Sequence, residues 1–218
     1  MKFILVPFKN FNLAKSRMRK DLSAPKTEKI VEKMLSHVLS EVSKSKLSDS
    51  NYIVTNDLKA IEIARQLGIK VIKEDGQIDE SSSVDSASEM LIKKGAKSLL
   101  RIPGDLPLIK HEDIDEIFSI STANNTSVIV PSKSGKGTNA ILRNPPNAIQ
   151  SFFGQNSLQK HIEEFERKKI KFKIIKMKNV ELDLDCLKDF EDLQEPEKKE
   201  YLEIINWLLP KYLFLPKP

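Results

Sequence analysis

Along its first half, the chain alternates short apolar runs with longer segments of helical period. Residues 3–6, Phe-Ile-Leu-Val, form the first run, and Pro7 ends it; a continuous apolar run of this length reads as a buried strand. Residues 27–46 place Ile30, Val31, Met34, Leu35, Val38, Leu39 and Val42 at three- and four-residue spacing, one apolar stripe of a helix. His37 lies beside that stripe and is expected to be structural. A strand over 52–55 follows. Asn56-Asp57 caps a helix that runs through Leu67 and stops at Gly68, and a third strand covers 69–72. The polar stretch 74–83 is expected to be flexible. The next helix is expected over 84–94, stopped by Gly95, and a strand over 98–102 and a helix over 112–120 complete this half. Such alternation from residue 3 to 120 predicts a parallel α/β sheet.

Beyond residue 120 the pattern changes. Residues 127–131 and 138–142 read as strands separated by the glycine-bearing loop 132–137. A helix follows Ser157, its expected N-cap, and runs to about Glu166. Strand-like segments come at 170–175 and 180–185, a short helix at 187–193 and a last helix at 197–209. The most apolar stretch, 207–216, is too short to span a bilayer and is broken by Pro210 and Lys211. It is read as a strap packed on its own domain or on the second subunit of a homodimer. The 218 residues are expected to make one domain, with 196–218 as a C-terminal helix and strap.

Composition narrows the classes. Apolar residues at 39% supply a sizeable core, and charged residues at 31% are on the high side of ordinary. The net charge of +5, with pI near 9.1, suits an anionic ligand or simply a lysine-rich surface. The run Lys168, Lys169, Lys171, Lys173 is read as lacking interleaved stacking aromatics, hence as solvated surface and not as a nucleic-acid platform. One cysteine, Cys186, excludes an internal disulfide framework and fits a reducing cytoplasm. The apolar start at 1–6 is too short for a signal-peptide core, so neither nucleic acid nor membrane is expected as a partner.

Asp105 is the first candidate for chemistry. It follows Pro103-Gly104 directly after a central strand, where open α/β sheets bind their ligands. There it reads either as a ligand to a divalent metal on nucleotide phosphates or as an ordinary turn aspartate. The loop after the first strand carries three cations, Lys9, Lys15 and Arg17, placed to meet phosphates or simply solvated. It contains neither GxxxxGK[ST] nor GxGxxG, which excludes a P-loop and a Rossmann fingerprint. Gly135-Lys136-Gly137-Thr138-Asn139 is either a ligand-facing glycine loop or a hairpin turn. Phe153-Gly154-Gln155-Asn156-Ser157 opens a helix, a ready anion site or a plain cap. In Glu181-Leu182-Asp183-Leu184-Asp185, alternate residues share a face if the segment is extended. Asp183 and Asp185 then point together while Leu182 and Leu184 pack away. Paired carboxylates are costly without a cation, although Asp185 reads equally as the cap of the next helix. His161, one turn beyond Ser157, is either an assisting group or a surface histidine.

Together PFKNFNLAKSR, GDLPLI, GKGTNAILR, FFGQNSLQKH and LDLDCLKDF resemble, in order and spacing, the motifs of the 2-phospho-L-lactate guanylyltransferases. That family includes phosphoenolpyruvate-using relatives, and it makes the guanylylated precursor of the deazaflavin coenzyme F-420. The resemblance runs from residue 3 to about 193. It implies a nucleotidyltransferase-type three-layer α/β sandwich with a mostly parallel, mixed central sheet, with GTP as cosubstrate and magnesium as cofactor. The chain departs from the family pattern at Cys186-Leu187, where the family usually has Thr-Pro, and at Val84-Asp85, where it commonly has Leu-Asn. The second position is expected near the base, with Asp85 either accepting guanine N–H groups or capping a helix.

The implied chemistry suits a chain poor in His and Cys. A phosphate monoester is already anionic and needs no base; the obstacle is repulsion between two anions, which metal and fixed cations remove. The resemblance assigns Asp105, Asp183 and Asp185 to magnesium. Lys9, Lys15 and Arg17 fall to the triphosphate, and Thr138, Asn139, Gly154 and Ser157 to the acceptor. That acceptor is a small phospho-acid: 2-phospho-L-lactate first, with phosphoenolpyruvate and 3-phosphoglycerate as alternatives. The rival readings are a nucleotidyltransferase of the same fold acting on a sugar phosphate or a molybdopterin, and a non-catalytic nucleotide-binding domain. The first usually carries a Gly-rich loop after strand one, and the second would have lost its acidic residues.

Overall fold

Strand β1 (Lys2–Pro7) lies inside the sheet, between β2 (Ser50–Val54) and β4 (Ser98–Arg101), and is parallel to both. Its alternating side chains are buried on both faces: Ile4 and Val6 on one, Phe3 and Leu5 on the other. Burial on both faces explains why such strands read as unbroken apolar runs. The computed structural model describes residues 1–12, 14–74, 76, 79–186, 188 and 189. Of the helix expected at 187–193 only 188 and 189 are described, and the helix expected at 197–209 and the strap at 207–216 lie outside the described residues.

Seven strands form one sheet in the order β3-β2-β1-β4-β6-β5-β7. Besides the three above, these are β3 (Lys70–Ile72), β5 (Ser127–Pro131), β6 (Thr138–Arg143) and β7 (Phe172–Ile174). Among the described residues, strand β6 alone runs against its neighbours, antiparallel to both β4 and β5. That reversal brings the amino end of β6, Thr138-Asn139, to the edge where the carboxyl ends of β1 and β4 emerge. The Gly-bearing loop 132–137 is the β5–β6 connection at this same edge. One face is covered by α1 (Ala24–Lys44), α2 (Leu58–Gln66) and α4 (His111–Asn124), the other by α3 (Glu80–Lys93) and α5 (Ser157–Arg167). This is the expected mixed three-layer α/β arrangement.

The α1 stripe is buried as its period predicts, and His37 beside it bonds the Ile109 carbonyl at 2.9 Å. Asp57 caps α2, accepting from the Lys59 and Ala60 amides. Four expectations need correction. Helix α3 starts at Glu80, inside the stretch expected to be flexible, because Asp79 accepts from the Ser82 amide and nucleates the first turn. Asp85 is therefore interior to α3 and does not cap it. Ser157 is the first residue of α5, not its N-cap; that position belongs to Asn156, in the left-handed region at φ 55°. Finally, the lysine run does hold an aromatic, Phe172, but it is stacked on Phe165 with centroids 5.0 Å apart, so it is committed to packing.

Candidate active site

The strand edge described above opens into a cleft of about 990 Å³. Its lining includes Arg17, Arg101, Asp105, Thr138, Asn139, Gly154, Ser157, Asp183 and Asp185. Gly104 places Asp105 there by close packing, since a Cβ at this residue would meet the Leu35 side chain at 2.8 Å. Leu182 and Leu184 are buried while Asp183 and Asp185 face the cleft, as their alternation predicts. The Leu184 amide donates to the Asp105 carbonyl at 3.4 Å, tying the acidic segment to the Asp105 turn. Asp189 holds the far end, its carboxylate accepting from the Asp185 and Cys186 amides at 2.7 Å each.

The centre of the cleft is electrostatic. The Lys15 ammonium lies 2.5 Å from Asp105 and 2.6 Å from Asp185, with its side chain 7% exposed. Burial works against that charge, but the two carboxylates outweigh it and hold Lys15 well above the usual lysine value. Lys15 also sits in the left-handed region at φ 57°, a conformation that costs a β-carbon residue about 1 kcal/mol or more. Burial likewise works against the Asp185 carboxylate, yet Lys15 and Arg17 together keep it below the usual carboxylate range. Arg17 reaches Asp185 at 3.7 Å from an exposed position at the cleft mouth.

Among the described residues Asp183 has no such partner. Burial, then the neighbouring Asp105 and Asp185 charges, push its carboxyl up to about 6, only partly offset by Lys15 and by the Asn139 amide 3.2 Å away. The Oδ1 atom of Asp105 is buried with no hydrogen-bond partner. Three acidic groups thus meet one buried lysine, leaving an anionic excess that another cation would neutralise. Among the described residues no three such groups are gathered into a finished metal cage.

Thr138, Ser157 and His161 form a second, buried network. The Thr138 amide donates to the Ser157 hydroxyl at 2.8 Å. The Phe152 amide donates to His161 Nε2 at 2.9 Å, so the imidazole proton sits on Nδ1 and is directed at the Thr138 hydroxyl, 3.0 Å away. The Thr138 hydroxyl therefore accepts from His161 and keeps its own proton for another acceptor. His161 is fully buried, which corrects the surface alternative. Burial, aided by the Arg101 and Arg143 charges, pushes it down to about 3 and keeps it neutral. Gly154, at φ 105°, makes the turn into α5, a conformation open to glycine.

Two expected residues lie elsewhere. Lys9 is exposed outside the cleft lining, near enough to Asp79 to help lower that carboxyl, after the larger effects of the Ser82 hydrogen bonds. Asp85 lines a separate hollow and has both oxygens engaged. Arg143 reaches it at 2.8 Å, and Ser151 donates from its amide at 3.0 Å and its hydroxyl at 2.6 Å. It is a structural anchor for Arg143, not a free acceptor. Conversely, the sequence reading passed over Arg101, a cation in the cleft wall that interrupts an otherwise apolar strand.

The model of the guanylyl transferase CofC-like family matches residues 1–206. A phosphoenolpyruvate guanylyltransferase of Thermobaculum terrenum is 31% identical over 190 residues, 87% of this chain and 81% of that protein. A 2-phospho-L-lactate guanylyltransferase of Methanothermobacter thermautotrophicus is 24% identical over 207 residues, 93% and 90% of the two chains. Among solved structures, a protein assigned as a nucleotide-diphospho-sugar transferase from Desulfovibrio desulfuricans G20 superposes with a TM-score of 0.74 at 14% identity. That match covers 95% of this chain and 97% of the other. A cytidylyltransferase of Leptospira borgpetersenii gives 0.62 at 14% identity, covering 96% and 94%. With its ordered motifs, its mixed sheet and a family match across nearly its whole length, this chain belongs to the CofC-like guanylyl transferase family.

Proposed function

We propose that this enzyme moves GMP from GTP to the phosphate of a small phosphorylated carboxylic acid and releases pyrophosphate, within coenzyme F-420 biosynthesis. 2-Phospho-L-lactate is the first acceptor to test, with phosphoenolpyruvate and 3-phosphoglycerate beside it. The observation that carries this reading is the buried Lys15 between Asp105 and Asp185, in a cleft whose other wall is Thr138, Gly154 and Ser157. One wall suits a triphosphate and the other a second anion.

In this reading an acceptor phosphate oxygen attacks the α-phosphorus. The new P–O bond forms as the bond to the β-phosphate breaks, and pyrophosphate leaves with the electron pair. No proton has to move, so the step needs no general base. Lys15, held protonated, serves as a fixed cation for the phosphates, not as a base. Arg17, at the mouth, meets the leaving pyrophosphate, and Lys9 acts at most from outside the cleft. The unpartnered Asp105 oxygen and the raised Asp183 carboxyl fit magnesium, which Asp105 and Asp183 would hold with Asp185 alongside. Such an ion supplies charge neutralisation on the phosphate oxygens. The Thr138 hydroxyl, its lone pair engaged by His161, donates toward the acceptor; Asn139 orients Asp183; Gly154 and Ser157 shape the start of α5 around the same anion.

The test is a pyrophosphate-release assay crossing the four NTPs with the three phospho-acids and with a sugar phosphate. The expected result is release with GTP and a phospho-acid. Release only with the sugar phosphate would replace this reading with the rival nucleotidyltransferase one, and tight nucleotide binding without release would favour a non-catalytic role.

A further inference from the structure

Arg101 is out of place by the rules that built its strand. On β4, Leu99 and Arg101 point to the α3–α5 face, and Arg101 is 4% exposed in the wall of the cleft. Its guanidinium is fixed on three sides. One terminal nitrogen donates to the Asn139 carbonyl at 3.0 Å and the Thr138 carbonyl at 3.4 Å. The ring of Phe153 stacks against it, 4.1 Å from ring centre to guanidinium carbon. The other terminal nitrogen pairs with Glu80, from the first turn of α3, and Nε is buried with no partner.

A buried guanidinium is costly unless an anion pairs with it. The two edges of this one are unequal: the Thr138–Asn139 edge is saturated by carbonyls, while the Nε edge is incompletely used. Such an edge suits a carboxylate, which takes two parallel N–H bonds from arginine. Glu80 occupies it in part, from a side chain that is 34% exposed and also lines the cleft. Between Arg101 and Glu80, the glutamate is therefore the partner free to swing away.

We infer that Arg101 is the residue that binds the carboxylate of the acceptor, and that Glu80 stands in for that carboxylate when the cleft is empty. This rests on the proposed phospho-acid acceptor. It adds the group that separates phospho-acids from simple phosphate monoesters. The neighbours of Arg101 are Thr138, Asn139, Phe153 and Glu80, and the first two belong to the segment proposed to hold the acceptor, whereas the cations proposed for the triphosphate, Lys15 and Arg17, pair with Asp105 and Asp185. Arg101 therefore discriminates acceptors and leaves GTP affinity alone. The two side chains predict opposite effects, because removing the guanidinium weakens the acid and removing its internal competitor tightens it.

The experiment is calorimetric binding of 2-phospho-L-lactate, phosphoenolpyruvate, 3-phosphoglycerate and isopropyl phosphate, which lacks the carboxylate, to wild type, Arg101→Leu, Arg101→Lys and Glu80→Gln. GTP is titrated in parallel and each variant is melted. Arg101→Leu is expected to weaken the bound phospho-acid about ten-fold or more, the scale of a hydrogen bond to a charged group. Isopropyl phosphate and GTP should be unchanged. Arg101→Lys should fall between, keeping the charge but losing the fork, and Glu80→Gln should bind the acid more tightly than wild type. If Arg101→Leu does not fold, Arg101→Lys and Glu80→Gln decide alone. Equal loss for the acid and isopropyl phosphate, a loss of GTP affinity, or weaker acid binding in Glu80→Gln overturns the inference. Wild type that binds none of the phospho-acids overturns both this inference and the acceptor reading. Selective acid binding without pyrophosphate release would leave Arg101 standing and defeat only the proposed reaction.

Discussion

Each charged side chain in the cleft is defined by who pairs with it. Asp105 and Asp183 are the proposed metal ligands, so Asp105→Asn and Asp183→Asn should each abolish turnover. Asp183→Asn should leave the melting temperature near or above that of wild type, since it removes a repelled charge, whereas Asp105→Asn should melt lower, since it weakens the ion pair to buried Lys15. Near-normal turnover of either variant at low magnesium would refute the metal assignment. Asp85 is the opposite case, fully engaged by Arg143 and Ser151. Asp85→Ala should cost about 1–3 kcal/mol of stability, the penalty for a stranded buried donor, with the preference for GTP over ITP unchanged. A changed preference would return Asp85 to the base site. His161 gives a pH signature. Its folded value of about 3 lies below the ordinary histidine value of 6.5, so the unfolded chain binds the proton first. The stability owed to the neutral imidazole is complete above about 6.5 and is lost as the pH falls toward 3, at up to about 1.4 kcal/mol per pH unit. Urea unfolding of wild type and His161→Gln across that window should show the shallower pH dependence in the variant; parallel curves would mean that His161 is not held neutral.

At the scale of elements, β6 and α5 together build the wall proposed for the acceptor, joined by Thr138 to Ser157 and Thr138 to His161. Thr138→Val should raise KM for the acceptor about ten-fold with KM for GTP unchanged, by loss of one hydrogen bond to a charged group. Steady-state kinetics with each substrate varied in turn checks this, and a rise confined to GTP would place the substrates the other way round. The elements themselves were largely legible from sequence. Strands buried on both faces appear as apolar runs, and α1 shows its stripe because one face alone is covered. The start of α3 was hidden because Asp79, Glu80 and three serines carry no apolar period; only the Asp79 cap, three residues ahead of Ser82, marks it. His161 was misplaced for a related reason. It occupies the buried stripe of α5 four residues before Phe165, and the helical spacing was visible, but a histidine there looks polar until the Phe152 and Thr138 partners are known. Arg101 was hidden in the same way, as a polar residue whose partners come from three other segments.

At the scale of the molecule, the antiparallel strand β6 sets the chemistry. It brings Thr138 and Asn139 to the edge where β4 delivers Asp105, so the segment proposed to hold the acceptor shares one cleft with the acidic residues. Sequence alternation predicted the parallel half of the sheet, but strand order depends on long-range pairing that no local pattern records. The charge of the molecule is likewise sorted in space and not merely summed, with the excess lysine largely outside and Lys15 enclosed between carboxylates. The central claim is that this centre transfers a nucleotidyl group to a phosphate. Phosphorus NMR of the quenched reaction of GTP, magnesium and 2-phospho-L-lactate or phosphoenolpyruvate tests it most directly, with Asp105→Asn run beside wild type. The account predicts a new P–O–P linkage between GMP and the acceptor phosphate, formed one-to-one with pyrophosphate by wild type and absent with Asp105→Asn. Formation of GDP and a γ-phosphoryl product, or the same linkage from Asp105→Asn at the wild-type rate, would contradict it.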